Sequence, residues 1–450
     1  MSETTDHDEN RAGDNAYVDE RIRDQTVCIV GLGYVGLPLA VEFDREGLDV
    51  IGYDVSEEKV TQFRNGTDPT QELSDEKIAE SDIQFTADAT PIERADYVLV
   101  GVPTPVDETK NPNLEYVGSA GRTVGRHLQK GATVVLESTV YPGATREVLV
   151  PAIEESSGLT AGEDFAYGYS PERMVPGDDE HGLRDVVKIV SGHDAEALDE
   201  IARLYETIVD AGVHRAPAIE VAEAAKGIEN VQRDLNIALV NELAVACDAL
   251  GIDTHDVLEA AGTKWNFHDE YRPGLVGGHC IPVDPFYIIY ESERNGYSPK
   301  LMQQGREINE YMPRHVAELT LRGLNECGKV LQESTVLVLG LAYKPGVGDI
   351  RTSAVDGTIE RLQEYSVNVA GYDPYADDDA MAKEFDVDIR TELRFRDVDA
   401  LVLATPHEPF VELDYGHVYE TMAENPLVVD VMGALDRGEM ETIGFDYRRV

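Results

Sequence analysis

The 450-residue sequence predicts an α/β protein with two doubly wound, parallel sheets joined by a long central helix and a helical segment. Three observations predict it. Short apolar runs rich in β-branched residues alternate with helical stretches, as where Thr26–Val30 is followed by Leu37–Phe43. Strands that alternate with helices build parallel sheets. The last third of the chain also repeats the first, in order. Thr335–Ala342 echoes the run into Gly31, Asn368–Asp373 echoes Asp49–Asp54, Asp399–Pro406 echoes Asp96–Pro103, and Val428–Asp430 echoes Val134–Glu137. Between the repeats, Glu220–Leu250 keeps Ala, Leu, Glu and Asn at helical spacing, with Gly227 as its one interruption, and stops before Gly251, where a C′ glycine belongs. The repeats are therefore two Rossmann-like units. The expected division is a disordered acidic tail at 1–24, a first sheet domain at 25–219, a helical, dimer-forming and loop-bearing domain at 220–326, and a second sheet domain at 327–450.

Each element of the first unit has a local reason. Pro38 sits in the first turn of its helix, where a missing N–H costs little. The second strand, Asp49–Asp54, ends on an acid. The strand Ala95–Val102 closes on Pro103-Thr104-Pro105, and Val134–Leu136 runs into Glu137-Ser138-Thr139. Ligands of such sheets bind at the C-terminal ends of the strands, so Asp54, Thr104, Ser138 and Thr139 are expected to gather there.

Composition narrows the partners. There are 38 Lys+Arg against 87 Asp+Glu, a net charge of -49. That field repels nucleic acid and anionic membrane surfaces. The acids are spread between strong apolar runs, which indicates a folded protein with an acidic surface rather than a disordered chain. Such crowding is tolerated where salt screens it, and implies a salt-loving microbe, an archaeon, as the source. Cys28, Cys247, Cys280 and Cys327 lie far apart with no CxxC spacing, which argues against a metal site or a disulfide framework. No apolar run approaches the length of about 18 residues needed to span a membrane. The polar N-terminus lacks a signal-peptide core, so a cytoplasmic protein is expected.

Three constellations carry chemistry. Gly31-Leu-Gly33-Tyr34-Val35-Gly36 follows a strand, opens a helix and precedes Asp54 by the spacing of a dinucleotide fingerprint. The glycines admit a pyrophosphate to the helix N-terminus. Asp54 would accept from ribose hydroxyls and repel a 2′-phosphate, so the cofactor is NAD rather than NADP. Lys59 is placed to contact the adenosine ribose. The second unit lacks the full fingerprint but adds Lys344 and Arg351 after its first strand, cations suited to phosphates and hence to a nucleotide-bearing substrate. Lys226 and Asn230 share one face of the connecting helix, with Lys226 in a small, apolar stretch where it is aimed at an anion. Last, Gly277-Gly278-His279-Cys280-Ile281-Pro282-Val283-Asp284 sets a cysteine in a Gly-rich loop with a carboxylate four residues on.

These residues together resemble the UDP-glucose/GDP-mannose dehydrogenase family over nearly all the chain after residue 24. The motifs are GLGYVGLP, VPTPVD, ESTVYPG, SPERMVPG, KGIENVQRDLNIALVNELA, KWNF, RPGLVGGHCIPVDP and LAYKPGVGDIRTS. The resemblance implies a four-electron oxidation of C6 of a nucleotide sugar to a uronic acid with two NAD⁺. It implies that Cys280 is the nucleophile, that Lys226 and Asn230 stabilise oxyanions, and that Asp284 orients water or acts as base. It gives Glu172 a place near sugar and water, and Thr139 a part in proton transfer. Tyr34, Val35, Thr104, Ser138 and Arg351 fall on the cofactor side. Arg173, Gly277, Tyr343 and Lys344 fall on the substrate side. Arg272 is expected to reach the substrate of a neighbouring subunit in a homodimer.

Members specific for glucose often carry a second acid four residues after the SPE glutamate, and here that position is Pro176. The SPERMVPG form resembles instead the branch that oxidises UDP-N-acetylhexosamines, such as UDP-N-acetylglucosamine or UDP-N-acetylmannosamine, for surface glycans; UDP-glucose is the alternative. A two-electron hydroxyacid dehydrogenase would have no use for Cys280 or a second nucleotide unit. A non-catalytic NAD-binding scaffold would not need Lys226, Asn230, Cys280 and Asp284 together.

Overall fold

The structure is a computed structural model that describes residues 21–70, 72–107, 109–174 and 181–450. Most of the expected acidic tail, and Pro176, lie outside the described residues. Residues 21–24 form a turn, and Ile22 is buried in the core of the first sheet, so the folded part begins before residue 24. The chain forms two compact units, Met1–Pro105 with Asn113–Lys226, and Val106–Pro112 with Gly227–Val450.

Among the described residues the first unit carries eight strands: β1 Thr26–Val30, β2 Asp49–Tyr53, β3 Gln84–Thr86, β4 Tyr97–Val100, β5 Thr133–Leu136, β6 Ala166–Tyr169, β7 Lys188–Gly192 and β8 Val213–Arg215. Their order is β3-β2-β1-β4-β5-β6-β7-β8. β1 to β6 run parallel in the strand order of a dinucleotide-binding fold. β7 then returns antiparallel to β6, and β8 pairs parallel to β7. The central strands are buried on both faces, as the apolar runs require.

The described residues of the second unit carry six: β9 Thr335–Leu339, β10 Asn368–Tyr372, β11 Asp388–Ile389, β12 Ala400–Leu403, β13 Leu427–Asp430 and β14 Asp446–Arg449. Their order, β11-β10-β9-β12-β13-β14, repeats that of the first six strands, all parallel. Alternation along β9 separates two cores. Val336 and Val338 pack in one with Met312 and Val316 of the helix Lys300–Glu326, while Leu337 and Leu339 pack in the other with Phe410 and Val418. The connecting helix runs Ile219–Leu250 without a break and ends at Gly251, whose φ of 70° is the left-handed conformation of a C′ glycine. The boundary between the units falls inside this helix, after Lys226.

Candidate active site

The first-unit fingerprint is built around close approach. Gly31 has φ 97°, and a Cβ there would meet the Gly101 carbonyl oxygen at 2.5 Å. A Cβ on Gly36 would lie 1.9 Å from the Gly31 oxygen, so the helix Gly36–Arg45 is drawn tight against its own turn. A Cβ on Gly33 would meet nothing within 4 Å, which leaves open space at the middle glycine. The helix has no side-chain cap at Val35, so its first turn keeps donors for an anion. Asp54 closes the turn: Oδ2 accepts from Leu32 N–H at 3.0 Å and Oδ1 from Ser56 N–H at 2.9 Å. Ser56 caps the next helix by accepting from Lys59 N–H, and the Lys59 side chain is half-buried. This cradle fits a dinucleotide, with Asp54 at the end of β2 where a ribose belongs.

Ser138 and Thr139 follow β5. The Ser138 hydroxyl donates to Val102 O at 2.7 Å and accepts from Val102 N–H at 2.9 Å, which ties the end of β5 to the end of β4. Its one proton is engaged there. Thr139, Thr104 and Val35 are half-buried, and Tyr34 is 38% exposed.

Glu172 lies past β6 in a cluster that the sequence reading missed. Lys188 Nζ donates to Glu137 Oε2 and to Glu172 Oε2, both at 2.9 Å. Glu172 Oε1 accepts from the backbone N–H of Arg173 and of Met174 at 2.7 and 2.8 Å. The Tyr205 hydroxyl donates to Glu137 Oε1. Burial pushes both carboxyls up. In Glu172, Lys188 and the two N–H groups outweigh burial and hold it below the usual carboxylate value, whereas Glu137 stays above it. Glu172 is thus a fixed, ionised carboxylate. The Arg173 guanidinium donates to Val187 O at 2.7 Å. The sequence signal for this cluster was a carboxylate ending one apolar strand and a lysine opening another, in a chain short of cations.

The second unit holds the cysteine loop. Of the four cysteines, Cys28 and Cys247 are buried, Cys327 is half-buried and Cys280 is exposed. Burial pushes the Cys28 thiol up to about 12, so it is inert. The Cys280 carbonyl accepts from Asp284 N–H at 2.8 Å, and Asp284 opens the helix Asp284–Arg294. Asp284 is 3% exposed and accepts from Asn230 Nδ2 at 2.5 Å. Asn230 therefore holds Asp284. Lys226, one turn earlier on the same helix, is half-buried.

Both glycines of the loop lie against protein. A Cβ on Gly277 would meet Tyr343 Cβ at 2.9 Å, and one on Gly278, at φ 89°, would meet the Tyr343 ring at 2.9 Å. His279 Nε2 lies 3.2 Å from Asp349 Oδ2, and Arg351 pairs with both oxygens of Asp349 at 2.9 and 2.8 Å. The Cys280 loop is thereby fastened to the loop after β9, which carries Tyr343, Lys344, Asp349 and Arg351. Arg351, expected on the cofactor side, belongs to this second unit. Arg272 is exposed and folds its guanidinium onto the carbonyls of Asp269 and Tyr271.

The turn after β9 also differs chemically from its counterpart. Asp373, at the position of Asp54, accepts from Leu341 and Ala342 N–H at 2.8 and 2.9 Å, and from fully buried His407 Nε2 at 3.0 Å. His407 Nδ1 accepts from Gly346 N–H at 3.0 Å. The acid that faces a ribose in a dinucleotide site is engaged here by an imidazole.

The NAD-binding, central and UDP-binding domains of one family match residues 25–209, 220–311 and 337–437. The chain belongs to the UDP-glucose/GDP-mannose dehydrogenase family. As a member it is an NAD-dependent nucleotide-sugar 6-dehydrogenase, with a domain for NAD and one for UDP. UDP-N-acetyl-D-glucosamine 6-dehydrogenase of Salmonella typhi is 42% identical over 388 residues, 86% of this chain and 91% of its own. The enzyme of the same name from Pseudomonas aeruginosa is 39% identical over 421 residues, 93% of this chain and 99% of its own. The solved UDP-D-ManNAc dehydrogenase of Pyrococcus horikoshii superposes with a TM-score of 0.85 at 30% identity, covering 94% of this chain and 99% of its own. Among the described residues no helix is long and apolar enough to cross a membrane.

Proposed function

We propose that this dehydrogenase oxidises C6 of a UDP-N-acetylhexosamine to the uronic acid in two steps, through a covalent adduct on Cys280. UDP-N-acetylglucosamine is the first candidate, since the relatives at 42% and 39% identity carry that name. The mannosamine epimer is the second, favoured by the superposition on the Pyrococcus enzyme. The observation that carries the chemistry is the loop itself: an exposed cysteine one helical turn before a buried carboxylate held by an asparagine.

NAD, when bound, supplies the acceptor for a hydride in each oxidation; Gly31, Gly33, Gly36 and Asp54 hold it. Once the C6 alcohol is an aldehyde, the Cys280 thiolate adds to its carbonyl carbon and forms a thiohemiacetal. Oxidation of that adduct leaves a thioester. Water adds to the thioester carbon, the C–S bond breaks, the thiolate of Cys280 is regenerated and the uronate leaves. Lys226 stabilises the oxyanions. Asp284 accepts the proton of the attacking water, and Asn230 fixes its orientation while sharing the oxyanion with Lys226. Glu172 and Thr139 order the water. Arg173, Gly277, Tyr343 and Lys344 take the substrate side. The enzyme acts in the cytoplasm at high salt, as a homodimer with Arg272 reaching a neighbouring site, and its product feeds glycan assembly.

The test is NADH formed per UDP-sugar consumed, in wild type and Cys280→Ser, across UDP-glucose and the UDP-N-acetylhexosamines. Two NADH per N-acetylhexosamine in wild type, lost in the variant, is the expected result. One NADH, unaffected by the substitution, overturns the mechanism. A preference for UDP-glucose overturns the substrate assignment alone.

A further inference from the structure

We propose that Lys188 is a positioning residue for the dehydrogenase reaction, fixing the Glu172 carboxylate in the orientation it needs toward water and sugar. The proposal rests on the reading of Glu172 given above. Its basis is topological. β5 and β6 run parallel, so Glu137 and Glu172, which follow them, lie at the carboxyl edge of the sheet. β7 returns antiparallel to β6, and this brings its first residue, Lys188, to that same edge. A third parallel strand would have carried its first residue to the opposite edge.

The lysine is 2% exposed, its two carboxylate partners 1% and 8%. A charge this deep is retained only where partners answer it. Among the described residues the ionisable groups facing Lys188 are Glu137 from the end of β5, Glu172 from the segment after β6, and Tyr205 from the helix Ala195–Tyr205, whose ring centroid lies 5.3 Å from Nζ. Tyr205 and Lys188 both donate to Glu137, so that carboxylate anchors the ammonium from one side. On the other side Glu172 receives the ammonium on one oxygen and two backbone N–H groups on the other. Both of its oxygens are held, and the plane of the carboxylate is set. Burial pushes the Glu172 carboxyl up, and the ammonium acts with the two backbone N–H groups to hold it below its usual value.

The test uses full-length enzyme and the double variant Lys188→Met/Glu137→Gln. It removes one positive and one negative charge together, so the buried site keeps its net charge. Without the ammonium, burial dominates at Glu172 and its pKa rises. The kcat–pH profile should then gain an acid limb at higher pH than in wild type. Loss of orientation should lower kcat by about 100-fold, with KM for NAD unchanged. Lys188→Arg, which keeps the charge in a different shape, should lower kcat by about tenfold, a smaller misplacement, without moving the limb. It decides the question where the double variant does not fold. Wild-type kcat in Lys188→Arg, or a double variant with wild-type kcat and profile, overturns the proposal. Glu172→Gln is measured alongside. Full activity there overturns the reading of Glu172 itself, whereas an impaired Glu172→Gln with unaffected Lys188 variants overturns the role of Lys188 alone.

Discussion

Replacing His407 tests whether the buried imidazole organises the substrate side of the second unit. His407 links two things: Asp373 at the end of β10, through Nε2, and the backbone of Gly346 in the loop after β9, through Nδ1. His407→Phe removes both links while keeping a ring against Tyr375 and Phe410, whose centroids lie 4.9 and 5.7 Å away. The bond to Asp373 involves a charged acceptor, so its loss costs about 2 kcal/mol of stability. Asp373 keeps its backbone donors at Leu341, Ala342, Tyr375 and Ala376. Gly346 is exposed, so its freed N–H finds water, and the loop loses about 1 kcal/mol of ordering. Expressed in binding, that is about a fivefold rise in KM for the UDP-sugar, with KM for NAD unchanged. His407→Asn, whose short side chain offers an acceptor near the Nδ1 position, should restore KM better than His407→Gln. There is also a pH signature. Burial raises the Asp373 carboxyl, but His407 and the backbone donors hold it below its ordinary 3.8. A depressed carboxylate contributes stability above its unfolded pKa and loses it as pH falls through its folded pKa. Without His407 the folded pKa rises, so acid unfolding of His407→Phe should begin at higher pH. Denaturation curves and steady-state kinetics measure both effects. A variant with wild-type KM for the sugar and a wild-type acid midpoint would refute the linkage.

The cofactor cradle makes two opposite predictions. Gly36→Ala drives a Cβ into the Gly31 carbonyl and should cost both thermal stability and NAD binding, whereas Gly33→Ala meets no protein atom within 4 Å. It should keep the wild-type Tm and raise KM for NAD by about tenfold or more, because the space it fills is the cofactor's; unchanged KM would remove Gly33 from the site. On the connecting helix, Ile228, Leu239, Leu243 and Leu250 are exposed by 53, 56, 40 and 73%. At helical spacing they fall within about 60° of arc. Leu239→Glu/Leu243→Glu should shift the mass seen in light scattering from dimer to monomer, and a wild-type mass would place the interface elsewhere. The net charge of -49 predicts a Tm that climbs with KCl as the Debye length falls from about 10 Å at 0.1 M to about 3 Å at 1 M; a flat response would refute adaptation to salt.

The strands, the fingerprint and the duplication were legible because each is a local pattern. A threonine and four apolar residues closing on a glycine, or a strand closing on Asp54 or Asp373, are written within a few residues of chain. The equal strand order of the two sheets followed from the order of those echoes. What escaped the reading depends on partners far apart in sequence. Lys188 meets Glu137 across 51 residues and Glu172 across 16, and only the reversal of β7 brings them together. In the sequence each looks like a charge at the edge of a strand. His407 and Asp373 are 34 residues apart, and nothing near His407 marks it as the ligand of an acid.

The cysteine loop shows how the reason for a local signal can lie in a distant part of the chain. Gly277 and Gly278 allow a close approach to the Tyr343 side chain and, at Gly277, to the Thr352 carbonyl. The absence of two Cβ atoms lets a loop with little core of its own lie flat on the loop after β9. His279 and Asp349 then hold it at its side, and Asn230 and Asp284 at its end. In the proposed mechanism the Cys280 thiolate first accepts an aldehyde and later releases an acid, so it cannot wander between the two steps. Nor can it be buried, since burial would raise its pKa as it does for Cys28. Holding the backbone on three sides while leaving Cys280 exposed meets both demands. The glycines serve that arrangement by letting the loop dock on the UDP-binding domain, so the geometry around the proposed nucleophile is set within the same unit that carries that domain.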